Sequence, residues 1–409
     1  MQPGSARIFT REFVIISIST FLFSNNFYTL LTQLPSYAMS ELGLSEGGAG
    51  VATGLYVVGM LGSRFFSGRL VTRTGFRPMY TVGLVGIVVF TAASLFVATP
   101  AALYAVRVCA GVAYGMTANT AITMASTIIP QKRSGEGVGY YSMFQLVAWA
   151  VGPFTGAQLS ANGSFAGVFV FCTILPLVSL ACVPFLRMSV FDNIKKPAKL
   201  PPPAPGVDAL LAPEDEKLLD KFFERTVLPV AASCVLLFLF NSSMLSFESV
   251  FAQSVGLSEI ASYFFLVYVA ALLAMRPFVS RLIDRRGANF VLFPCCAIYV
   301  AGFAVFAMMK NSAMLVIAAI LFGVGFGAVQ NAMLALTVRR APRHRFGMAN
   351  ATFYMSLDLC ASIGPMIAGL LVPLAGYRGL YLIAAVCTAA GLPVYYRLVG
   401  KDPSARTGH

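Results

Sequence analysis

The sequence predicts an all-α integral membrane protein in which twelve transmembrane helices form two pseudo-symmetric six-helix bundles. Three observations support this fold class. First, 58% of the 409 residues are apolar and only 11% are charged, whereas soluble proteins carry about 25% charged residues. Second, the apolar residues form long unbroken runs instead of the alternating pattern of a β-barrel. Third, the two halves of the chain repeat one pattern. Together these observations exclude a water-soluble fold.

Each predicted helix is an apolar run bounded by charged residues or by Pro and Gly, and a membrane-spanning helix needs about 20 such residues. The first half contains runs near 13–37, 46–71, 78–98, 100–128, 136–160 and 165–187. The second half contains runs near 227–251, 258–283, 288–309, 311–338, 347–373 and 378–398. The first run is too long for the apolar core of a signal peptide, so we interpret it as a retained span.

The distribution of the 29 Lys and Arg residues predicts the orientation of the chain. Loops such as 38–45, 161–164 and 252–257 contain neither residue type, and their side of the membrane holds only Lys310 and Arg378. Cytoplasmic loops are enriched in Lys and Arg. We therefore expect a multi-pass protein of the cell (cytoplasmic, inner) membrane with both termini in the cytoplasm. The net charge of +13 has the same explanation and does not indicate a nucleic acid partner.

The sequence gives no support for a metal, a haem or any other cofactor. All eight cysteines lie in apolar runs, the chain has two histidines, and no CxxC pair or Cys/His cluster occurs. A phosphate-binding loop of the form G-x-x-x-x-G-K-[ST] is also missing, which argues against a chain driven by ATP. The acids within the spans are few and well separated, so we do not expect an enzyme.

An internal repeat relates the two halves of the chain. A shift of 212 residues aligns them without gaps from about residue 56 to residue 156. Parallel repeats that lie six spans apart are one of the architectures of membrane transporters. The matched pairs include Tyr56 and Tyr268, Arg64 and Arg276, Gly75 and Gly287, Gly111 and Gly323, Asn119 and Asn331, and Gly152 and Gly364.

The repeat predicts three parts of the chain. Residues 1–187 form an N-terminal six-helix bundle, 188–226 a cytoplasmic linker, and 227–409 a C-terminal six-helix bundle with a short cytoplasmic tail. The linker is rich in Pro and then changes to a short amphipathic helix that we expect at the membrane surface. We interpret the linker as a tether between the bundles rather than a regulatory domain. The apolar face of its helix consists of Leu218, Leu219, Phe222 and Phe223.

The loop between the second and third spans resembles the loop signature of the major facilitator superfamily, G-x-L-x-D-R-x-G-R-R. This loop starts at Gly68 and has Thr72 where the signature has Asp. Its repeat at 280–287 keeps the acid as Asp284 but has Ser280 in place of the first Gly. The likeness covers essentially the whole chain and implies the twelve-span fold of that superfamily.

Within the superfamily the chain is most similar to the drug:proton antiporter branch and its sugar-efflux relatives. Arg107 and Gly111 resemble the R-x-x-x-G motif of the fourth span. The Gly152-Pro153 element resembles the antiporter motif of the fifth span. Because Gly364 and Pro365 repeat that element in the second half, it can also report the duplication alone.

The resemblance implies that the two signature loops act as a conformational latch. Their glycines permit a tight reversal between helices, and their arginines place positive charge at the cytoplasmic face. An acid there can interact with the positive N-terminal end of an adjacent helix and lose that contact when the bundles rock. The alternative is that these charges only fix topology. The latch residues are Gly68, Thr72, Arg73, Gly75, Asp284, Arg285 and Gly287.

Three ionisable residues are candidates for proton coupling. Asp358 is the only acid well inside an apolar run, and ionisable groups in a membrane usually face a wet cavity or an ion pathway. Its alternative role is a structural contact with a neighbouring hydroxyl or Arg. Glu248 lies near the outer end of the seventh span, where it can also simply reach interfacial water. Arg107 is a coupling or substrate residue by resemblance, and Arg64 and Arg276 are expected to anchor their helices.

A pocket between the bundles should be formed by the first, fourth, fifth, seventh, tenth and eleventh spans. Few polar groups in an aromatic, Met-rich lining suit an amphipathic organic molecule better than a sugar. Some of these residues will instead join helix to helix. The candidate substrate-binding residues are Asn25, Asn26, Tyr28, Gln33, Asn119, Tyr141, Gln145, Asn241, Gln330, Asn331 and Tyr354.

The sequence therefore predicts a secondary active transporter that exports a small amphipathic molecule in exchange for protons, by alternating access. Its expected partners are that small molecule, protons and the lipid bilayer, and we expect a monomer. Proton-coupled import of a small metabolite is the nearest alternative. A membrane sensor without transport and an intramembrane enzyme are remote alternatives.

Overall fold

The computed structural model describes residues 8–129, 134–160, 165–187, 191, 224–341 and 346–406. These described residues are 91% helical. We number its twelve long helices α1 to α12 in chain order. The face of the molecule that carries the two chain ends is called the inner face, and the opposite face is called the outer face. The predicted amphipathic helix of the linker lies outside the described residues.

The first six helices are α1 (Arg11–Ser40), α2 (Glu46–Thr74), α3 (Phe76–Ala93), α4 (Pro100–Ile128), α5 (Ser134–Ser160) and α6 (Phe165–Cys182). The next four are α7, which has the two segments Leu228–Phe238 and Asn241–Ser254, α8 (Phe264–Arg286), α9 (Ala288–Ala307) and α10 (Ser312–Arg340). A single run, Phe346–Tyr395, contains α11 (346–375) and α12 (377–395). They meet at Gly376, whose φ of 67° interrupts the helix.

The number of membrane spans agrees with the sequence prediction. In the described ranges, nine helices are long and apolar enough to cross a membrane. The last of the nine, Thr352–Gly400, contains both α11 and α12. The remaining two helices, α2 with 29 residues and α5 with 27, also have spanning length. The predicted fold class, an all-α membrane protein with twelve transmembrane helices, is thus confirmed.

The repeat in the sequence corresponds to a repeat in backbone conformation. Gly75 ends α2 with φ 90° and ψ 168°, and Gly287 ends α8 with φ 84° and ψ 164°. A residue with a side chain is strained at such positive φ values. Glycine therefore permits the same tight turn into the following helix in both halves.

Helix packing repeats as well. A Cβ atom added to Gly111 in α4 would lie 1.9 Å from the carbonyl oxygen of Tyr56 in α2. A Cβ atom added to Gly323 in α10 would lie 2.2 Å from the carbonyl oxygen of Tyr268 in α8. These glycines allow the backbones of each helix pair to touch, which is how membrane helices associate tightly. Both contacts are related by the shift of 212 residues.

The seventh helix is interrupted, which the sequence pattern does not predict. Its two segments are separated by Leu239, which keeps helical angles, and Phe240, whose ψ of 2° departs from them. A Cβ atom added to Gly364 in α11 would lie 2.2 Å from the carbonyl oxygen of Leu239, so the break is packed directly against a neighbouring backbone. Non-helical backbone at membrane depth is tolerated where protein or a cavity surrounds it. Asn241, which follows the break, lines the cavity described next.

Candidate functional site

A cavity of about 290 Å³ lies between the first six and the last six helices. Helices α1, α2, α4 and α5 form one wall, and α7, α10 and α11 form the other. We call it the central cavity. Its polar and charged lining residues are Tyr28, Arg64, Tyr114, Asn119, Gln145, Trp149, Asn241, Ser242, Gln330, Tyr354 and Asp358, and the rest of the lining is apolar.

An ion pair crosses this cavity from one half of the molecule to the other. Nη2 of Arg64 in α2 lies 2.6 Å from Oδ2 of Asp358 in α11. The two side chains are 30% and 17% exposed, so solvent reaches both. Arg64 belongs to one half of the molecule and Asp358 to the other. The ion pair therefore links the protonation state of the Asp358 carboxylate to the contact between the two halves of the molecule.

Three tyrosines surround the acid. Tyr28, Tyr114 and Tyr354 each lie near enough to Asp358 to interact with its charge. They come from α1, α4 and α11, so the acid is enclosed by both halves. The repeat position of Asp358 in the first half is Leu146, so this acid breaks the symmetry of the repeat.

Aromatic rings form the apolar part of the lining. Trp149 of α5 packs edge-to-face on Phe326 of α10, with ring centroids 5.7 Å apart, and Phe326 packs in the same way on Phe238 at 5.2 Å. Tyr28 stacks on Trp149 at 6.0 Å. The Nε1 donor of Trp149 is buried and has no hydrogen-bond partner among the described residues. The cavity thus offers aromatic ring surface and one ion pair.

The structure brings together about half of the predicted substrate-binding residues. Six of them line the central cavity: Tyr28, Asn119, Gln145, Asn241, Gln330 and Tyr354. Gln33 lines a second cavity nearer the outer face. Asn331, next to Gln330, is not among the lining residues of either cavity. The apolar runs predict the right helices for these residues, but not always the right face of a helix.

The remaining three candidates lie within the first six helices. The Asn26 amide donates to the carbonyl oxygen of Cys172 at 2.7 Å, and the Thr20 hydroxyl donates to Tyr141 at 3.0 Å. Asn25 accepts a hydrogen bond from Thr29 one turn away in the same helix. These polar groups form hydrogen bonds inside the first six helices, as polar residues of membrane helices commonly do. None of the three lines the central cavity.

Sequence reasoning misses two important cavity residues. Arg64, predicted to anchor its helix at the inner face, pairs with Asp358 instead. Trp149, the only tryptophan of the chain, is not among the predicted site residues. The signals are an arginine inside an apolar run and a lone indole donor one turn after Gln145. The second helix, which carries Arg64, is also missing from the predicted set of lining helices.

Arg107 lies inside the first six helices and lines neither cavity. It is 1% exposed, and its Cζ atom lies 4.3 Å from the ring centroid of Tyr56. Its Nε and Nη2 atoms have no hydrogen-bond partner in the described part of the chain. A desolvated cation over an aromatic ring gains about 2 kcal/mol. This stacking accounts for the position of the guanidinium.

We expect the substitution Tyr56→Leu to destabilise the protein because it removes the ring beneath Arg107. The repeat offers a matched control, since Tyr268→Leu removes an equivalent ring whose partner position is Ala319 instead of Arg. Tyr56→Leu should lower the free energy of unfolding by about 2 kcal/mol more than Tyr268→Leu. Unfolding by SDS titration of the purified variants measures the difference. Equal losses for both variants would contradict the stacking role.

Glu248 is 2% exposed and lines the second cavity rather than the central one.

The predicted latch can be placed only in part. Arg73 and Arg285 are exposed at the ends of α2 and α8, next to the two turn glycines. The side chains of Thr72 and Asp284 lie outside the described part, so the latch remains a proposal.

The two halves meet closely on the outer side of the central cavity. The Ser249 hydroxyl of α7 donates to the carbonyl oxygen of Thr32 in α1 at 3.4 Å. The Ser362 hydroxyl of α11 donates to the carbonyl oxygen of Gly54 in α2 at 3.3 Å. Nearer the outer face, a Cβ atom added to Gly50 would lie 2.2 Å from the carbonyl oxygen of Pro365. Backbone contact therefore closes this side.

The fold and the cavity define a class of protein: a polytopic membrane protein with a solvent-accessible site between two halves that repeat each other. Comparison with known proteins gives the family. The profile of the Major Facilitator Superfamily matches residues 16–365 and 301–409. The chain belongs to the Major Facilitator Superfamily and is a membrane transporter of that type.

Individual relatives agree with this assignment. The MFS-type transporter STM4428 of Salmonella typhimurium is 24% identical over 395 residues, which cover 94% of this chain and 95% of that protein. The crystal structure of a mutant of the nucleoside transporter NupG superposes with a TM-score of 0.77 at 14% identity, over 95% of this chain and 100% of that one. A D-xylose-proton symporter structure gives 0.72 at 13% identity, over 94% and 96%. At these identities the structures show the fold alone.

Proposed function

We propose that the protein is a proton-coupled antiporter that exports a small amphipathic organic molecule by alternating access. The observation that carries this proposal is the ion pair between Arg64 and Asp358 across the central cavity. A carboxylate in that position can hold either a proton or the guanidinium contact, and the two options favour different contacts between the halves. Protonation is thereby coupled to the rocking of the halves.

The lining supports an amphipathic substrate. Ring faces from Phe27, Trp149 and Phe326 supply apolar contact, whereas Gln145 and Gln330 supply two amides from opposite walls. Ligand sites usually combine a mostly apolar lining with a few placed polar groups. The cavity of about 290 Å³ suits a molecule of modest size.

Antiport is favoured over symport by the likeness of Arg107, Gly111 and the Gly152-Pro153 element to the antiporter branch. Symport is the second candidate, because a D-xylose-proton symporter shares this fold. The fold is compatible with either order of proton and substrate binding, so the direction of the proton gradient that drives accumulation distinguishes them.

The test uses purified protein in liposomes with an imposed pH gradient. Ethidium, a permanently charged probe that a pH gradient alone cannot trap, and chloramphenicol, a neutral amphipathic probe, are added outside. Accumulation with an acidic lumen supports antiport, and accumulation with an acidic exterior supports symport instead. Empty liposomes and the ionophore nigericin serve as controls. If neither probe accumulates above the controls under either gradient, the proposal of proton-coupled transport of amphipathic molecules is contradicted.

A further inference from the structure

A second cavity, of about 400 Å³, lies between the halves and nearer the outer face than the central cavity. Helices α1, α5 and α6 line it from one half, and α7 and α8 from the other. It shares no lining residue with the central cavity. We call it the outer cavity.

The outer cavity contains one buried acid. Glu248 of α7 is 2% exposed, and its Oε1 atom has no hydrogen-bond partner among the described residues. Ser36 of α1 lines the same cavity from the other half. The described lining holds no Lys, Arg or His that could pair with the carboxyl group. The hydroxyl of Tyr381 in α12 is close enough to interact with its charge, and it also interacts with Tyr377.

Two hydroxyls of the outer cavity donate their protons to other protein groups. The Ser160 hydroxyl donates its proton to Oε1 of Gln33 at 2.9 Å, and the Ser249 hydroxyl donates to the carbonyl oxygen of Thr32 at 3.4 Å. Once a hydroxyl has donated its proton, its lone pairs remain to face a ligand. A carboxyl group among such oxygens is suited to a positively charged ligand.

Size and aromatic content indicate which kind of cation fits. A dehydrated metal ion needs oxygen ligands at about 2.3–2.6 Å on several sides, whereas a cavity of about 400 Å³ is in the range of organic ligands. Phe165 and Phe265 also line it, and aromatic rings attract ammonium groups.

We propose that the outer cavity binds an organic ammonium cation, with Glu248 as its counter-ion and Phe165 and Phe265 beside its apolar part. As a step on a transport path, this site rests on the proposed function; as a binding site it does not. A buried carboxyl group with no cationic partner in the described lining must hold a proton or a cation. Arrival of the ammonium at a protonated Glu248 therefore releases one proton to the solvent.

The test measures binding to the purified full-length protein. The probe is benzyltrimethylammonium, and the control ligand is neopentylbenzene, its neutral isostere, added from the same detergent stock. We expect the cation alone to raise the melting temperature in a saturable way and to release protons in weakly buffered solution. Glu248→Gln should weaken the apparent affinity at least about tenfold. Glu41→Gln changes an exposed acid on the same face and should not.

Several results would overturn the inference. They are an unchanged affinity in Glu248→Gln, equal stabilisation by the neutral isostere, stabilisation by sodium chloride but not by the organic cation, and loss of binding in Asp358→Asn, which would place the cation in the central cavity. The two proposals fail separately. Transport driven by a pH gradient without cation binding at Glu248 removes only the outer site, and binding at Glu248 without coupled transport removes only the proposed antiport.

Discussion

Replacement of Asp358 by Asn is expected to abolish accumulation against a concentration gradient while leaving the protein folded. Asn keeps the shape of the side chain but cannot exchange a proton, so the central cavity loses its link to the pH gradient. One pH unit corresponds to about 1.4 kcal/mol, which allows about tenfold accumulation for exchange of one cation for one proton. In the variant the ratio of inside to outside probe should fall to one.

The measurement is the liposome assay with an acidic lumen, with exchange of labelled probe in the absence of a gradient as a second readout. Exchange should persist, because it requires rocking of the loaded halves but no net proton movement. Asp402→Asn is the matched control, since Asp402 also pairs with an arginine, Arg340, but at the inner face and outside the cavity. Accumulation that survives in Asp358→Asn would exclude this residue as the proton carrier.

A substitution of Arg64, the partner of Asp358, tests the same coupling role more sharply. Arg64→Gln leaves Asp358 with its proton site but without the cation across the cavity. We expect this variant to bind probe yet to lose coupling, because the ion pair no longer ties protonation to the contact between the halves. A loss that matches Asp358→Asn therefore indicates that the two residues act as one unit.

The fold could be predicted from the sequence because the patterns that indicate it extend over many residues. Twelve apolar runs and a gap-free repeat of about 100 residues specify helices, their order and their pairing, and the turn glycines Gly75 and Gly287 adopt the same conformation as the repeat implied. One member of the ion pair was also accessible from sequence, since an acid such as Asp358 is rare in a membrane span, but its partner Arg64 was not.

The sequence was not sufficient to decide which face of each helix meets the cavity. In a soluble helix the polar face is the exposed one, but in a membrane both lipid and protein neighbours are apolar. Asn26 and Tyr141 therefore looked equivalent to Asn119 and Gln145, although the first two bond within the bundle and the last two line the cavity. The break in α7 was hidden for the same reason, because Leu239 and Phe240 continue the apolar run.

The two halves can approach closely on the outer side because α2 has glycines there. These glycines are not part of the pattern that the two halves share. Gly50 and Gly54 of α2 lie against the backbone of α11, where added Cβ atoms would lie 2.2 Å from the carbonyl oxygen of Pro365 and 2.4 Å from that of Ser362. Real Cβ atoms do not approach backbone oxygens so closely. A side chain at Gly50 must therefore push α2 and α11 apart on the outer side, whereas the inner side, with Arg64 and Asp358, has room.

The substitution Gly50→Val is thus expected to hold the transporter open to the outer side and to stop transport. Overpacking typically costs about 1–3 kcal/mol, and each 1.4 kcal/mol changes an equilibrium tenfold. A cysteine introduced in the outer cavity by Gln33→Cys reports the change, because Gln33 is 5% exposed in the closed arrangement. Its alkylation by a polar maleimide should become about tenfold faster in the Gly50→Val background.

The same helix supplies the control for this experiment. A Cβ atom at Gly62 would meet nothing within 4 Å, so Gly62→Val adds the same side chain to α2 without touching α11. It should label at the slow rate of the parent protein and retain transport. If Gly50→Val labels as slowly as Gly62→Val, the contact between α2 and α11 does not control access, and closure must then depend on the Ser249–Thr32 contact between α7 and α1.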